Sequence, residues 1–142
     1  MKNKRKSVGI IILAKDTNKF LLLHRTKNPV AWSSLAGKME EGETPKETIK
    51  REIQEEIGIN PDILSDIEEV GMIDSHHVML GIVNKQFTIS NLKKDENDAY
   101  GWFTEETLPS PLHYRWDETF KFIKPLIRLR EVFMKNTKNL IK

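Results

Sequence analysis

Between Gly37 and Ile59 the chain reads GKMEEGETPKETIKREIQEEIGI, a segment that holds seven glutamates and no cysteine. Carboxylates at this density repel one another unless a positive partner sits among them. At helical spacing, Ile49, Ile53 and Ile57 recur every four residues as one apolar stripe, and Glu52, Glu55 and Glu56 fall on a neighbouring stripe. Each like-charge pair on an exposed helix costs about 0.2–0.5 kcal/mol, and more where water is excluded. A hard divalent cation, Mg²⁺ or Mn²⁺ in its place, relieves that repulsion through oxygen ligands. The plain alternative is a solvated acidic face.

The same segment announces the element that positions these groups. Thr44, Pro45 and Glu47 supply an N-cap, a proline at the first helical position and a capping-box acid, and Gly58 followed by Pro61 ends the helix. Upstream, Val8 to Leu13 is a near-continuous apolar run. The turn KDTNK and a second run, FLLLH, follow it, a pattern that predicts a hairpin buried on both faces. Downstream, IEEVGMID, HHVMLGIV and QFTIS have strand lengths and β-branched content, for a sheet of about five or six strands. From Trp116 to Met134 the apolar spacing is helical, with stripes at Phe120, Ile123 and Ile127 and at Phe122, Leu126, Leu129 and Phe133; Pro125 is expected to kink or divide it.

Composition narrows the function classes. The 142 residues fit one domain, residues 1–142, with no repeat or linker. A net charge of +2 from 23 basic and 21 acidic residues carries no global demand for nucleic acid or membrane. The basic set Lys121, Lys124, Arg128, Arg130, Lys135 and Lys138 reads as solvated helix faces. Zero cysteines remove disulfides, thiolate metal ligands and a cysteine nucleophile, and suit a cytoplasmic setting. The basic start MKNKRK precedes an apolar run that Lys15 and Asp16 cut short, too short for an export or membrane segment.

The segment resembles the box of the Nudix hydrolases: Gly, five residues, Glu, seven residues, Arg-Glu, an aliphatic residue, any residue, Glu-Glu, any residue, Gly, an aliphatic residue. Gly37, Glu43, Arg51, Glu52, Ile53, Glu55, Glu56, Gly58 and Ile59 fill every specified position. Leu35 and Ala36 stand where the family commonly has proline and glycine. The resemblance implies an α/β fold, a mixed sheet sandwiched between helices. It also implies cleavage of the pyrophosphate bond in a nucleoside diphosphate linked to another group, of ADP-ribose, dinucleoside polyphosphate or nucleoside triphosphate type. It places a metal on Glu52, Glu55, Glu56 and the Gly37 carbonyl, and makes Arg51 and Glu43 a pair that orients the acidic ligands. Its substrate is a small nucleotide, with an RNA 5′ end as the alternative, and it admits a homodimer.

Outside the box, Arg25 and Lys38 flank the site and are expected to touch phosphate, and one of His76 and His77, taken as His77, is expected to face substrate. Trp32 reads as a packing aromatic. With the box glutamates on metal, the attacking water needs another proton acceptor; in KKDENDAYGW this is Glu96 first, Asp98 second, and Glu55 after them. Two other classes compete: a non-catalytic nucleotide sensor, which would more often show a broken triad, and an isomerase branch whose required cysteine is absent. No subfamily marker identifies the nucleotide; the region Ser75 to His77 replaces two of them.

Overall fold

The structure, a computed structural model, describes residues 6–140, and side chains over residues 6–133. Within the basic start, residues 1–5 therefore lie outside the described residues, as do the side chains of Lys135 and Lys138. Nine longer elements follow one another: β1 (Ser7–Ala14), β2 (Phe20–Arg25), β3 (Trp32–Ser33), β4 (Leu35–Lys38), α1 (Pro45–Ile57), β5 (Leu64–Ile73), β6 (His76–Val83), β7 (Asn97–Phe103) and α2 (Trp116–Leu140).

The apolar run of β1 is buried along seven of its eight residues because the strand is central and has a helix over each face. Val8, Ile10 and Ile12 join Ile49, Ile53 and Ile57 of α1 in one core. Ile11 and Leu13 point the other way, into a second core with Trp116, Phe120, Ile123 and Ile127 of α2. The mixed sheet runs β3-β2-β1-β6-β5, with β4 also paired to β1 and β7 to β2. β1 and β6 are parallel, pairing Ser7 with His76 and Val8 with His77, and the other ladders are antiparallel. The expected hairpin is present, closing at Leu13 and Phe20.

Three expectations change. The segment QFTIS is not a strand: its backbone is held by side chains from β7, the Tyr100 hydroxyl accepting from the Ile89 amide at 3.1 Å and the Trp102 indole donating to the Phe87 carbonyl at 3.1 Å. Among the described residues the sheet has seven strands, because the short β3 and β4 form from AWSSLAGK. Of the two outcomes expected at Pro125, a kink or a division, the second does not occur, since Pro125 lies inside one continuous α2. It sits exposed, so the Lys121 carbonyl that loses its donor opens to water. Of the two stripes on α2 only Phe120, Ile123 and Ile127 are fully buried, while Leu129 and Phe133 stay 67% and 71% exposed.

Ile53 is fully buried at the centre of the α1 contact. Ile53→Ala is expected to cost about 3 kcal/mol, lowering the melting temperature on the order of 10 °C. A calorimetric scan showing a shift below 2 °C would contradict this account of how α1 is anchored.

Candidate active site

The site is assembled on α1 by local rules that the chain obeys closely. Thr44 caps the helix, its hydroxyl accepting from the Glu47 amide while the Glu47 carboxylate accepts from the Thr44 amide. Gly58 ends it in the left-handed conformation at φ 65°, donating to the Gln54 carbonyl. With the isoleucine stripe fixed on the sheet, Glu52 and Glu56 are drawn under the helix and only 7% and 9% exposed.

Arg51 ties the loop before α1 to the helix. Its Nε and Nη2 donate to the two oxygens of Glu43 at 2.8 and 2.9 Å, a bidentate pair; Nη2 also reaches the Lys38 carbonyl at 3.1 Å. Its Nη1 donates to Glu52 at 2.9 Å and Glu55 at 3.2 Å. Glu43 further accepts from the Glu40 amide and the Thr48 hydroxyl. Arg51 first, then the Glu40 amide, hold the Glu43 carboxyl at a pKa of about 2.

Beyond the reach of Arg51 the charge is poorly compensated. Burial, then the charges of Glu96 and Glu52, push the Glu56 carboxyl up to about 7 against the pull of Lys93. Burial raises Glu52 as well, against the pull of Arg51. The two carboxyls share a hydrogen bond, and the Glu56 Oε2 is buried with no partner. A Cβ on Gly37 would land on the Glu52 carboxyl, so only glycine lets that carboxylate lie against the β4 backbone. An orphaned oxygen, two raised carboxyls and a glycine floor suit a hard divalent cation on Glu52, Glu56 and the Gly37 carbonyl. Glu55, half exposed, shares the Arg51 Nη1 with Glu52. Among the described residues no three acidic or imidazole groups converge as a preformed metal cluster.

Of the box carboxylates, Glu56 opens into a cleft in two parts. The first, of about 130 Å³, is lined by Glu56, Glu96, Asn97 and Lys27; the second, of about 470 Å³, by Ser7, Lys38, His76, His113, Arg115 and Thr119. Arg25, Asn28, Ser34 and Ala36 line both and join them. Glu96 thus faces Glu56 across the first cavity, on a loop pinned by the Thr26 amide and hydroxyl, which donate to the Glu96 carbonyl. Asp98 is turned elsewhere, paired with His24 Nδ1 at 2.6 Å. Lys38 lines the cleft as expected. Arg25 does too, but its Nε and Nη2 donate to the carbonyls of Lys27, Asn28 and Pro29, shaping the cleft wall.

His77 is not brought to the cleft. The strand alternation places it on the α1 face, with Nδ1 2.8 Å from the Glu69 carboxylate, while His76 lines the second cavity with Nδ1 2.7 Å from the Ser7 hydroxyl. Trp32 packs, as expected, against His24 and Phe103. His113, Arg115 and Asn28 carry no motif, and only the fold places them beside the box.

A family model described as the NUDIX domain matches residues 3–124. Dihydroneopterin triphosphate diphosphatase of Escherichia coli is 38% identical over 68 residues, covering 48% of this chain and 43% of that protein. Human 8-oxo-dGDP phosphatase NUDT18 is 31% identical over 116 residues, 76% of this chain and 36% of that protein. The chain thus spans about two fifths of the length of these curated relatives. A MutT NUDIX hydrolase structure from Burkholderia pseudomallei superposes with a TM-score of 0.67 at 22% identity, covering 86% of this chain and 99% of that one, a likeness of fold. The match over residues 3–124 takes in the whole sheet, the carboxylate helix and the start of α2, and the chain belongs to the NUDIX family.

Proposed function

We propose that this chain is a divalent-metal-dependent hydrolase of the pyrophosphate bond in a nucleoside diphosphate linked to another group. The observation that carries the reading is the orphaned, buried Glu56 oxygen beside Glu52 on the Gly37 floor, opening onto a cleft. Glu52, Glu56 and the Gly37 carbonyl would hold the ion, with Glu55 joining if it exchanges Arg51 for metal. When bound, Mg²⁺ or Mn²⁺ supplies positive charge that neutralises the diphosphate and acidifies water.

The chain's own groups do the rest. Arg51 and Glu43 fix the loop and helix so that the carboxylates keep their spacing, a task for a rigid bidentate fork that lysine cannot take over. Glu96 faces the site with an exposed carboxylate and is suited to take the proton of the attacking water. Lys38 offers a point charge to phosphate, and His76 takes the place expected of His77. Diphosphatase and phosphatase names among the relatives support a nucleotide-type substrate. A panel of ADP-ribose, dinucleoside polyphosphates, nucleoside triphosphates and 5′-triphosphorylated RNA, with Mg²⁺ and products separated by chromatography, tests the class. Binding without turnover across the panel would favour a sensor.

Glu56→Gln and Glu52→Gln are each expected to lower turnover at least about a hundredfold, since a lost ligand for transition-state charge costs about 3 kcal/mol. A folded-state pKa of about 7, above the usual 4.5, means that the charged Glu56 is a cost absent at low pH and fully present above about 7. Metal-free wild type should therefore lose stability as pH rises from about 4.5 to 7. Metal-free Glu56→Gln should melt ~2–4 °C higher than wild type at pH 8. Near-normal turnover in both variants, or a lower melting temperature for metal-free Glu56→Gln at pH 8, would remove the assignment.

For Glu96→Gln, the expected result is a rate loss of roughly a hundredfold and a flattened acidic limb in the pH–rate profile, with unchanged metal affinity. An unaltered acidic limb would transfer the role of base to another group.

A further inference from the structure

The two cavities of the cleft differ in the charges that line them. Glu56 and Glu96 line the smaller one, balanced by Lys27 and the shared Arg25; among the described residues no carboxylate lines the larger, where Lys38 and Arg115 meet the same Arg25 with no anion among them. With about 470 Å³, the larger cavity is in the size range of small-molecule sites and exceeds what positioning one metal-bound bond requires. We infer that the larger cavity is a seat for a second anionic group, a phosphoryl group carried by the substrate beyond the scissile diphosphate, held chiefly by Arg115 and Lys38. The inference rests on the hydrolase reading only for the identity of the ligand as substrate; the seat itself is a property of the cavity.

Arg115 is available for this task. Its partner, Asp74, is 3.7 Å away with a side chain 76% exposed, a long, water-screened pair that is readily exchanged for phosphate. Arg115 is the residue before α2, and its amide donates to His113 Nδ1 at 3.1 Å, which fixes the turn and leaves that ring as an acceptor there. His113 is also held through its own backbone, its amide donating to the Trp32 carbonyl at 2.9 Å, so the segment carrying Arg115 is tied to the sheet.

The imidazoles report the same local field. Burial first, then Arg115, His77 and His113, lower His76 to about 4; burial, then Arg25 and Arg115, lower His113. Both rings are thus neutral near pH 7 in a cavity whose fixed charges are positive, and a neutral imidazole still offers an N–H. The Ser7 hydroxyl beside His76 adds a further hydrogen-bonding group. Tyr114 and Trp116 add aromatic wall, and among charged groups the fixed cations and neutral hydrogen-bonding side chains match a phosphoryl oxygen and disfavour a cation.

The test uses pyrophosphate as the probe, titrated calorimetrically into the metal-free full chain in EDTA. The expected result is a single site, weakened at least tenfold in Arg115→Gln, partly restored in Arg115→Lys and not weakened in Glu56→Gln. No binding to the wild type, or equal binding to Arg115→Gln, overturns the proposal. In kinetics, Arg115→Gln should raise KM about tenfold for substrates with a phosphoryl group beyond the scissile diphosphate, with kcat within twofold, and leave KM unchanged for those without one. An equal rise for both kinds, or a loss confined to kcat, overturns it too. Pyrophosphate binding that depends on Arg115 supports the seat even if no substrate is turned over, a failure that would count against the hydrolase reading alone.

Discussion

One arginine faces more carboxylates than it can neutralise, and the rest of the site follows from that imbalance. Arg51 spends its donors on Glu43, Glu52, Glu55 and the Lys38 carbonyl. Glu56, one turn further on, is left facing Glu52 and Glu96 with one buried oxygen unpartnered. Helix propensity and capping hold α1 in place despite this, because Ile49, Ile53 and Ile57 are fully buried against the sheet. The apolar stripe therefore stabilises an arrangement that the acidic stripe opposes, and the residual repulsion is what the proposed cation would relieve.

The division of labour along α1 and its preceding loop has a geometric logic. Gly37 supplies floor space by lacking a Cβ, Glu43 anchors the arginine from the loop, and the arginine in turn sets the loop against the helix. Across the cleft, the Glu96 loop is pinned by Thr26, while Arg25 shapes the facing wall through three carbonyls. Glu56 and Glu96 consequently stand at one end of the cleft and Lys38 and Arg115 at the other, an order that on the proposed reading would give a polyanionic substrate a direction in which to lie.

Much of this was legible in the residues. The capping box, the glycine stop and the isoleucine stripe arise from contacts close in sequence, where spacing determines neighbourhood, while the Arg51–Glu43 pair was implied by the family resemblance. What was not legible depends on distant partners. The strand alternation that turns His76 rather than His77 into the cleft depends on pairing with β1, and the capture of Asp98 by His24 depends on β2 meeting β7. QFTIS has the composition of a strand, yet Tyr100 and Trp102 occupy its backbone groups first. His113 and Arg115 lie more than fifty residues beyond the box, and only the placement of the segment before α2 brings them to it.

The most direct test of the central imbalance is proton release on metal binding. Mg²⁺ titrated calorimetrically into the metal-free chain at pH 7, in buffers of differing ionisation enthalpy, should release about half a proton per ion, since a carboxyl with a pKa of about 7 is half protonated there. Glu56→Gln should abolish that release. Binding with no proton release from the wild type, or with the same release from Glu56→Gln, would contradict the account.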